Sequence, residues 1–231
     1  MSGVYERELI LSDNEYFKTK TTKNQIVLHH TGGSSDPVIN VQWWEKDPPR
    51  VAAHNVIGGI SLRGKTEWDG KVVKALDSNF FAYHLGLAAA DDNTRKPRGF
   101  YDMKSVAIEV CNYGQLTKRR DGKFYHYLNG VVPDVYVCDL GRPFRGFQYF
   151  QNYTDKQIEA VASMVGHHCK YESITLEKGR IFTWDDFTHD VKRFGNKAVA
   201  FHVNYRPSGK WDMYPHPKLI AMLNDLHSSQ V

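Results

Sequence analysis

The sequence predicts an α/β (α+β) chain in which a single mixed β-sheet is flanked by helices. Short runs of β-branched and other apolar residues recur along the chain, and such runs are typical of buried strands. Two later segments instead repeat their apolar residues with the 3.6-residue period of helices that cover a sheet. The chain has 231 residues, of which 41% are hydrophobic and 24% charged. We therefore expect a single domain over residues 1–231 with a substantial core.

Six segments are predicted to be strands because they are short, apolar and rich in β-branched residues. Asp69-Gly70 and Asp121-Gly122 have the turn chemistry of hairpins. We therefore expect a turn before the third strand and a hairpin tip inside a basic segment. The predicted strands are residues 25–28, 52–60, 71–76, 105–110, 131–138 and 198–203.

Two helices are predicted in the second half of the chain. Thr154 and Gln157 have the spacing of a capping box, in which each side chain binds the other residue's backbone N–H. A helix is therefore expected to begin there, and a second one is expected to start at about Pro217. Their apolar faces contain Ile158, Val161, Ala162 and Val165 in the first helix and Leu219, Ile220, Leu223 and Leu226 in the second.

The composition narrows the classes of function. No run of apolar residues approaches the roughly 18 needed to span a bilayer, so no integral membrane association is expected. The first residues are acidic where a signal peptide would be basic, which predicts a cytoplasmic protein in the producing cell, or one released to the cell wall as a lysin. A net charge of +4 is too weak to indicate a nucleic-acid partner. We expect a monomer.

Residues 59–66 match the letters of a phosphate-binding P-loop. A P-loop must open a helix, because the helix N-terminus and its free amides hold the phosphate. The residues that follow here have turn and strand chemistry instead. We therefore predict a β-hairpin with a long loop rather than a nucleotide site.

Candidate metal ligands lie at the ends of two predicted strands. His29 and His30 close the first strand, and strand alternation sends them to opposite faces, so only one can face a given site. His202 closes the last predicted strand, and Asp212 follows after a turn. Two histidines and one carboxylate, with the fourth position open, make up a catalytic zinc site. The alternative for His202 and Asp212 is a surface ion pair or an Asx turn.

A glutamate lies inside an otherwise apolar predicted strand. Burying Glu109 is costly unless a cation or a metal ion lies close to it. A partly desolvated carboxylate is also what a general base for a water molecule requires, and such groups cluster at functional sites. The alternative is a glutamate at the rim of the sheet.

In this order, the segments resemble the zinc-dependent N-acetylmuramoyl-L-alanine amidases of the amidase-2 type, which are related to peptidoglycan recognition proteins. The resemblance extends from about residue 25 to residue 215. The strand that ends in His29 is similar to the family's first-ligand strand, and the segment from His202 to Asp212 resembles its second and third ligands. Lys210, two residues before the last ligand, resembles the family's transition-state lysine.

The resemblance implies a cofactor, an activity and a role for each residue. It implies Zn²⁺ bound by His29, His202 and Asp212. It implies Glu109 and Lys210 as the catalytic residues, with the glutamate as the general base. The substrate is expected to be peptidoglycan or a muropeptide, and the bond cut is expected to join N-acetylmuramic acid to L-alanine.

Two further segments resemble the family outside the metal site. Residues 53–58 are similar to its next strand, and residues 82–86 to its substrate-side segment. The resemblance therefore implies substrate contacts from His84, Tyr83 and His54. Relative to compact members of the family, residues 1–24 look like an N-terminal extension, and residues 117–149 and 172–197 look like insertions.

Two other classes of function stay open. One is a non-catalytic peptidoglycan-binding module, since some relatives bind peptidoglycan without cutting it and typically lack a metal ligand. The other is a zinc peptidase that acts on the stem peptide. Bound zinc tests the first alternative, and an N-terminal alanine freed among the products excludes the second.

Overall fold

The computed structural model describes residues 4–46, 50–86, 98–176, 179–187, 197–206 and 208–226. The strands are β1 Arg7–Glu8, β2 Gln25–His30, β3 Asn55–Ile57, β4 Val72–Lys74, β5 Ser105–Val110, β6 Gln115–Lys118, β7 Phe124–Tyr125, β8 Val131–Val132, β9 Val137–Phe144, β10 Phe147–Gln151 and β11 Val199–Phe201. The helices are α1 Pro37–Trp44, α2 Phe100–Lys104, α3 Asp155–Tyr171, α4 His202–Tyr205 and α5 Pro217–Leu226, and a 3₁₀ turn covers Asp134–Tyr136.

A mixed six-stranded sheet with the strand order β1-β4-β3-β5-β2-β11 forms the centre of the fold. Strand β2 lies between β5 and β11 and is parallel to both, and all six of its residues are buried. Only the pairing of β3 with β4 is antiparallel among the described strands of this sheet. This sheet with helices beside it confirms the predicted fold class.

Alternation along β2 gives the central sheet two different faces. Ile26 and Leu28 belong to the main core cluster, which also contains residues of α3 and α5 such as Val161 and Leu223. Val27 belongs to a separate cluster on the opposite face. Each fully buried Ile or Leu side chain contributes about 1.5–3 kcal/mol, so these two faces fix the register of β2. His29 therefore faces away from α3.

Helix α3 begins at the predicted capping box. The Gln157 backbone N–H donates to Thr154 Oγ1 at 3.0 Å, and the Thr154 N–H donates to the Gln157 side-chain oxygen at 3.1 Å. Ile158, Val161 and Val165 of this helix are buried against the sheet. A cap of this kind contributes about 1 kcal/mol, and the burial of the apolar face contributes more.

A second sheet follows β5 in the chain. It is antiparallel and has the strand order β8-β7-β6-β10-β9. The prediction of one strand over residues 131–138 was wrong, because β8 ends at Val132 and a 3₁₀ turn follows Pro133 before β9 begins. Proline lacks a backbone N–H and fixes φ, so it interrupts a strand at that point. Most of the predicted insertion at residues 117–149 lies in this sheet.

The segment with P-loop letters lies in the long connection between β3 and β4. These strands pair antiparallel, with Val56 opposite Val73, which confirms the predicted hairpin. Residues 59–66 form turns here and do not open a helix, so the described geometry offers no helix N-terminus to a phosphate. Separately, none of the helices within the described ranges has the length and apolarity that crossing a membrane requires.

Candidate metal centre and active-site groove

Three buried side chains meet where β2 and β11 end. His29 is the fifth residue of β2, and His202 directly follows β11, whose Phe201 is paired with Leu28. The Nδ1 atoms of the two histidines lie 2.9 Å apart, and Asp212 Oδ2 lies 2.8 Å from the Nδ1 of His202 and 3.3 Å from that of His29. Parallel pairing thus brings together ligand candidates that are far apart in the chain.

The hydrogen bonds around His29 determine which of its ring nitrogens carries the proton. Ser105 Oγ donates to the Tyr101 carbonyl at 2.8 Å, so it accepts from His84 Nε2 at 2.9 Å. His84 Nδ1 is then the acceptor for His29 Nε2 at 3.0 Å. A neutral His29 therefore presents an unprotonated Nδ1 to Asp212 and His202.

A hydrogen bond on the opposite side of the site fixes the position of the ring proton of His202. Its Nε2 lies 2.9 Å from the Leu85 carbonyl oxygen, which can only accept, so the ring proton is on Nε2. Two nitrogen lone pairs and one carboxylate oxygen consequently converge on one point. Among the described residues this is the one group of three His, Cys, Asp or Glu side chains close enough to share a metal ion, with all ligand atoms within 4.8 Å of one another. This donor set fits a zinc ion, whose histidine ligands usually bind a hydrogen-bond acceptor through the other ring nitrogen.

The charges of these side chains suit metal binding at neutral pH. Burial lowers the pKa of His29 to about 4, although Asp212 partly opposes this, so the imidazole is neutral. Burial would raise the pKa of Asp212, but the facing His202 and His29 outweigh it and hold that pKa well below its usual value. A neutral imidazole and an ionised carboxylate are the forms that bind a metal ion.

Glu109 lies beside this cluster on the neighbouring strand. It is paired with His29 in the parallel register of β5 and β2, so both side chains are on the same face of the sheet. Its buried Oε2 has no hydrogen-bond partner in the described part of the chain. Burial, helped by the negative charge of Asp212 and opposed by Lys210, raises the pKa of Glu109 to about 8. A carboxylate in this state readily accepts a proton.

A cavity of about 160 Å³ opens over the cluster. Lys210 and Tyr83 line it together with Glu109, His202 and Asp212. With His84, the sequence thus predicted six of the residues that line this cavity. Their chemical roles stay predictions.

The two other predicted substrate contacts lie deeper. His84 lines the same cavity but is buried behind His29, and its ring nitrogens bind His29 and Ser105. His54 is only 1% exposed. Its Nδ1 accepts from the Ala107 N–H at 2.9 Å, its Nε2 lies 3.2 Å from the Phe80 carbonyl, and it lines none of the three cavities around the site. The expectation of a substrate contact from His54 is therefore not met by this geometry.

Arg145 was not predicted from the sequence, yet it holds the segment that carries Asp212. It lies in the turn between β9 and β10, and its Nη2 donates to the Val203 carbonyl at 2.7 Å. Its Nη1 donates to the Arg206 carbonyl at 2.8 Å and to the Lys210 carbonyl at 3.0 Å. The planar guanidinium can serve several acceptors in a fixed arrangement. No sequence pattern marks such a residue, because its partners are backbone carbonyls of a distant loop.

Several solved structures share the fold of this chain. A solved structure of PlyL covers 97% of this chain and 98% of its own, with a TM-score of 0.51 at 13% identity. The match to the solution structure of the PlyG catalytic domain covers 97% of this chain and 94% of that domain, with a TM-score of 0.52 at 12% identity. The match to a mutant endolysin from Bacillus subtilis covers 97% of this chain and 97% of the endolysin chain, with a TM-score of 0.50 at 13% identity. At these identities the likenesses show the shared fold alone.

Comparison of the sequence with family models identifies the family to which the chain belongs. No curated protein matches the chain at a significant level. The family model described as N-acetylmuramoyl-L-alanine amidase, Amidase_2, matches residues 19–215. That match covers most of the 231 residues. The chain therefore belongs to the N-acetylmuramoyl-L-alanine amidase family and is an amidase that acts on peptidoglycan.

Proposed function

We propose that this amidase depends on zinc and cuts the bond between the lactyl group of N-acetylmuramic acid and L-alanine. The observation that carries the proposal is the convergence of two imidazole lone pairs and a carboxylate oxygen from His29, His202 and Asp212. Both imidazoles have their other ring nitrogen engaged, as zinc-bound histidines usually do. Catalytic Zn²⁺ sites typically have three protein ligands of these types, histidine and carboxylate, and one open position.

Glu109 is proposed as the proton carrier of the reaction. Bound Zn²⁺ supplies a Lewis acid, which polarises the carbonyl and lowers the pKa of a water molecule. Glu109 takes a proton from the attacking water and passes it to the amide nitrogen. A C–O bond forms, the C–N bond breaks, and the products are the muramyl carboxylate and a peptide with a free amino terminus.

Lys210 is proposed to stabilise the negative charge that develops on the carbonyl oxygen. Lys210 lines the same cavity as Glu109, His202 and Asp212. A fixed cation placed beside developing charge lowers the energy of the transition state more than that of the ground state. Tyr83 lines this cavity as well and is proposed to contact the substrate.

Digestion of purified sacculi and of soluble muropeptides tests this function. The proposal expects stem peptides that begin with L-alanine and glycan strands that keep the lactyl carboxylate, both identified by mass spectrometry. Products with L-alanine still attached to the glycan would identify a stem-peptide peptidase. Binding of sacculi without any product would identify a non-catalytic module.

A further inference from the structure

Asp102 is a buried carboxylate that the proposed mechanism does not use. It belongs to α2, is only 2% exposed, and lines none of the three cavities around the site. Burying an ionised carboxylate is costly, and hydrogen bonds must offset that cost. Burial raises the pKa of Asp102, although hydrogen bonds from the His84 and Leu85 amides oppose this. The residue is therefore explained better by what it holds in place than by what it adds to stability.

One oxygen of Asp102 holds the backbone of two consecutive residues. Oδ1 accepts from the His84 N–H at 2.7 Å and from the Leu85 N–H at 3.0 Å. Neither residue belongs to a strand or a helix, so no regular ladder of hydrogen bonds fixes their amides. The His84 Nε2 atom lies 3.8 Å from Oδ1, which is too far for a hydrogen bond. Asp102 therefore acts on the main chain of this segment and not on the imidazole.

The same two residues supply the outer hydrogen-bond partners of both candidate histidine ligands. His84 Nδ1 accepts from His29 Nε2 at 3.0 Å, and the Leu85 carbonyl accepts from His202 Nε2 at 2.9 Å. The two ligands come from different strands, but their partners are neighbours in the chain. A displacement of residues 84–85 consequently moves the acceptors of both imidazoles together.

Helix α2 gives Asp102 a fixed position. Tyr101 packs against Val27 of β2, and Lys23 Nζ donates to the Met103 carbonyl at 3.1 Å. The chain then passes directly from α2 into β5, which is paired with β2 in the centre of the sheet. The position of the carboxylate is thus set by the central sheet and not by the segment that it holds.

We propose that Asp102 is a positioning residue that orients both His29 and His202 by holding the backbone of residues 84–85. The inference rests on the proposed function, because it takes these two histidines as zinc ligands. Removing an outer partner of a metal ligand typically lowers metal affinity about 10- to 100-fold. Asp102 supports two such partners, whereas the hydroxyl of Ser105 supports only the one that binds His29.

Substitutions of Asp102 separate the position of its oxygen from its charge. Asp102→Asn keeps an oxygen that can accept from both amides, Asp102→Glu moves the oxygens by one methylene group, and Asp102→Ala removes them. Zinc affinity, measured by competition with a chelator, should fall about 100-fold in Asp102→Ala and about 10-fold in Asp102→Glu. In Asp102→Asn it should stay within about 3-fold of the parent value. KM and kcat at saturating zinc should change little, because Asp102 lines none of the cavities.

The ring N–H signals of the two ligands test their shared support directly. In ¹⁵N-edited NMR spectra, recorded with zinc and without it, Asp102→Ala and Asp102→Glu should shift the Nε2–H signals of both His29 and His202. Ser105→Ala should shift the signal of His29 alone. Asn55→Ala, which loses a buried hydrogen bond to α3, is the control for general destabilisation and should shift neither.

A shift of the His29 signal alone in the Asp102 variants would overturn the shared role. An equal loss of zinc affinity in Asp102→Asn and Asp102→Ala would also overturn it, because the acceptor would then not matter. If Asp102→Ala does not fold, unchanged ring signals in Asp102→Glu decide against the proposal. If the parent protein binds no zinc, the proposed function fails, and the ring signals of the metal-free variants alone decide whether Asp102 orients the two histidines.

Discussion

Three hydrogen bonds set the proton position on His29, and none of them involves the candidate metal ligands His202 and Asp212. The Tyr101 carbonyl accepts from Ser105, Ser105 accepts from His84, and His84 accepts from His29. This series of hydrogen bonds is the part of the site that could not be predicted from the sequence. Residue types and spacing pointed to His29, but the role of Ser105 depends on a carbonyl four residues earlier in the chain and on a distant histidine.

Ser105→Ala tests this chain of hydrogen bonds. Without the serine oxygen, His84 loses the acceptor that fixes its tautomer, and His29 loses its orientation. We expect zinc affinity to fall about 10-fold, with most of kcat recovered at saturating zinc. Competition with a chelator of known affinity measures the change, and Ser78→Ala, a buried serine elsewhere, is the control. An unchanged affinity in Ser105→Ala would remove the orienting role.

Glu109 and Asp212 are both carboxylates in the site, but we expect substitution of Glu109 to lower the rate and substitution of Asp212 to remove the metal. Glu109→Gln keeps the size of the side chain and cannot accept a proton at neutral pH. We therefore expect a folded variant with normal zinc content and a rate lower by about 10²–10⁴. Asp212→Asn is the matched variant and should lose the metal. Elemental analysis and rates on the same preparations check both, and near-normal hydrolysis by Glu109→Gln would exclude it as the base.

At the scale of elements, helices and strands were predicted best where a local sequence signal determines the conformation. The predicted strand over residues 105–110 coincides with β5, and helix α3 starts at its capping box, because both signals are local. Helix α1 was missed although Asp36 caps it and Pro37 stands at its first turn. Its sequence has apolar residues on several sides, so no helical period appears. The hairpin tip predicted at Asp121-Gly122 does join β6 to β7. The second sheet as a whole was missed because its strands are short and because β6 pairs with β10, which lies about 30 residues further along the chain.

Arg145 connects the second sheet to the segment that follows β11, and its substitution tests that connection. Arg145→Lys keeps the charge but cannot reach three carbonyls in one planar arrangement. We expect faster amide hydrogen exchange confined to about residues 203–212 and a roughly 10-fold loss of zinc affinity. The exposed Arg142→Lys on β9 is the control. Unaltered exchange in Arg145→Lys would mean that the loop holds its own conformation.

At the scale of the whole molecule, residues 4–24 are joined to the central sheet. Strand β1 pairs with β4, and the Phe17 N–H donates to the Phe81 carbonyl at 2.8 Å. Lys23 is 2% exposed, and its Nζ donates to the carbonyls of Phe80 and Met103 at 2.8 and 3.1 Å. Residues 4–24 of the expected extension are therefore part of the folded structure.

Buried Lys23 makes stability depend on pH. Burial lowers its pKa to about 7, whereas an unfolded lysine has a pKa of about 10.4. Between these values the unfolded chain binds more protons, so the contribution of Lys23 to the free energy of unfolding increases with pH. Relative to Lys23→Met, the parent protein should gain up to about 1.4 kcal/mol per pH unit from pH 7 to 9.5. Urea denaturation of both proteins measures this, and a difference that stays constant with pH would contradict it.

Removal of the metal tests the proposed zinc dependence of the amidase. Protein purified without chelator should contain about one zinc per chain, and dialysis against a chelator should abolish the release of L-alanine-terminated peptides from muropeptides. Activity should return in proportion to added zinc and be complete at one ion per chain, whereas His29→Ala should not recover. Full hydrolysis by the protein would contradict zinc dependence if elemental analysis of the assayed sample finds no metal.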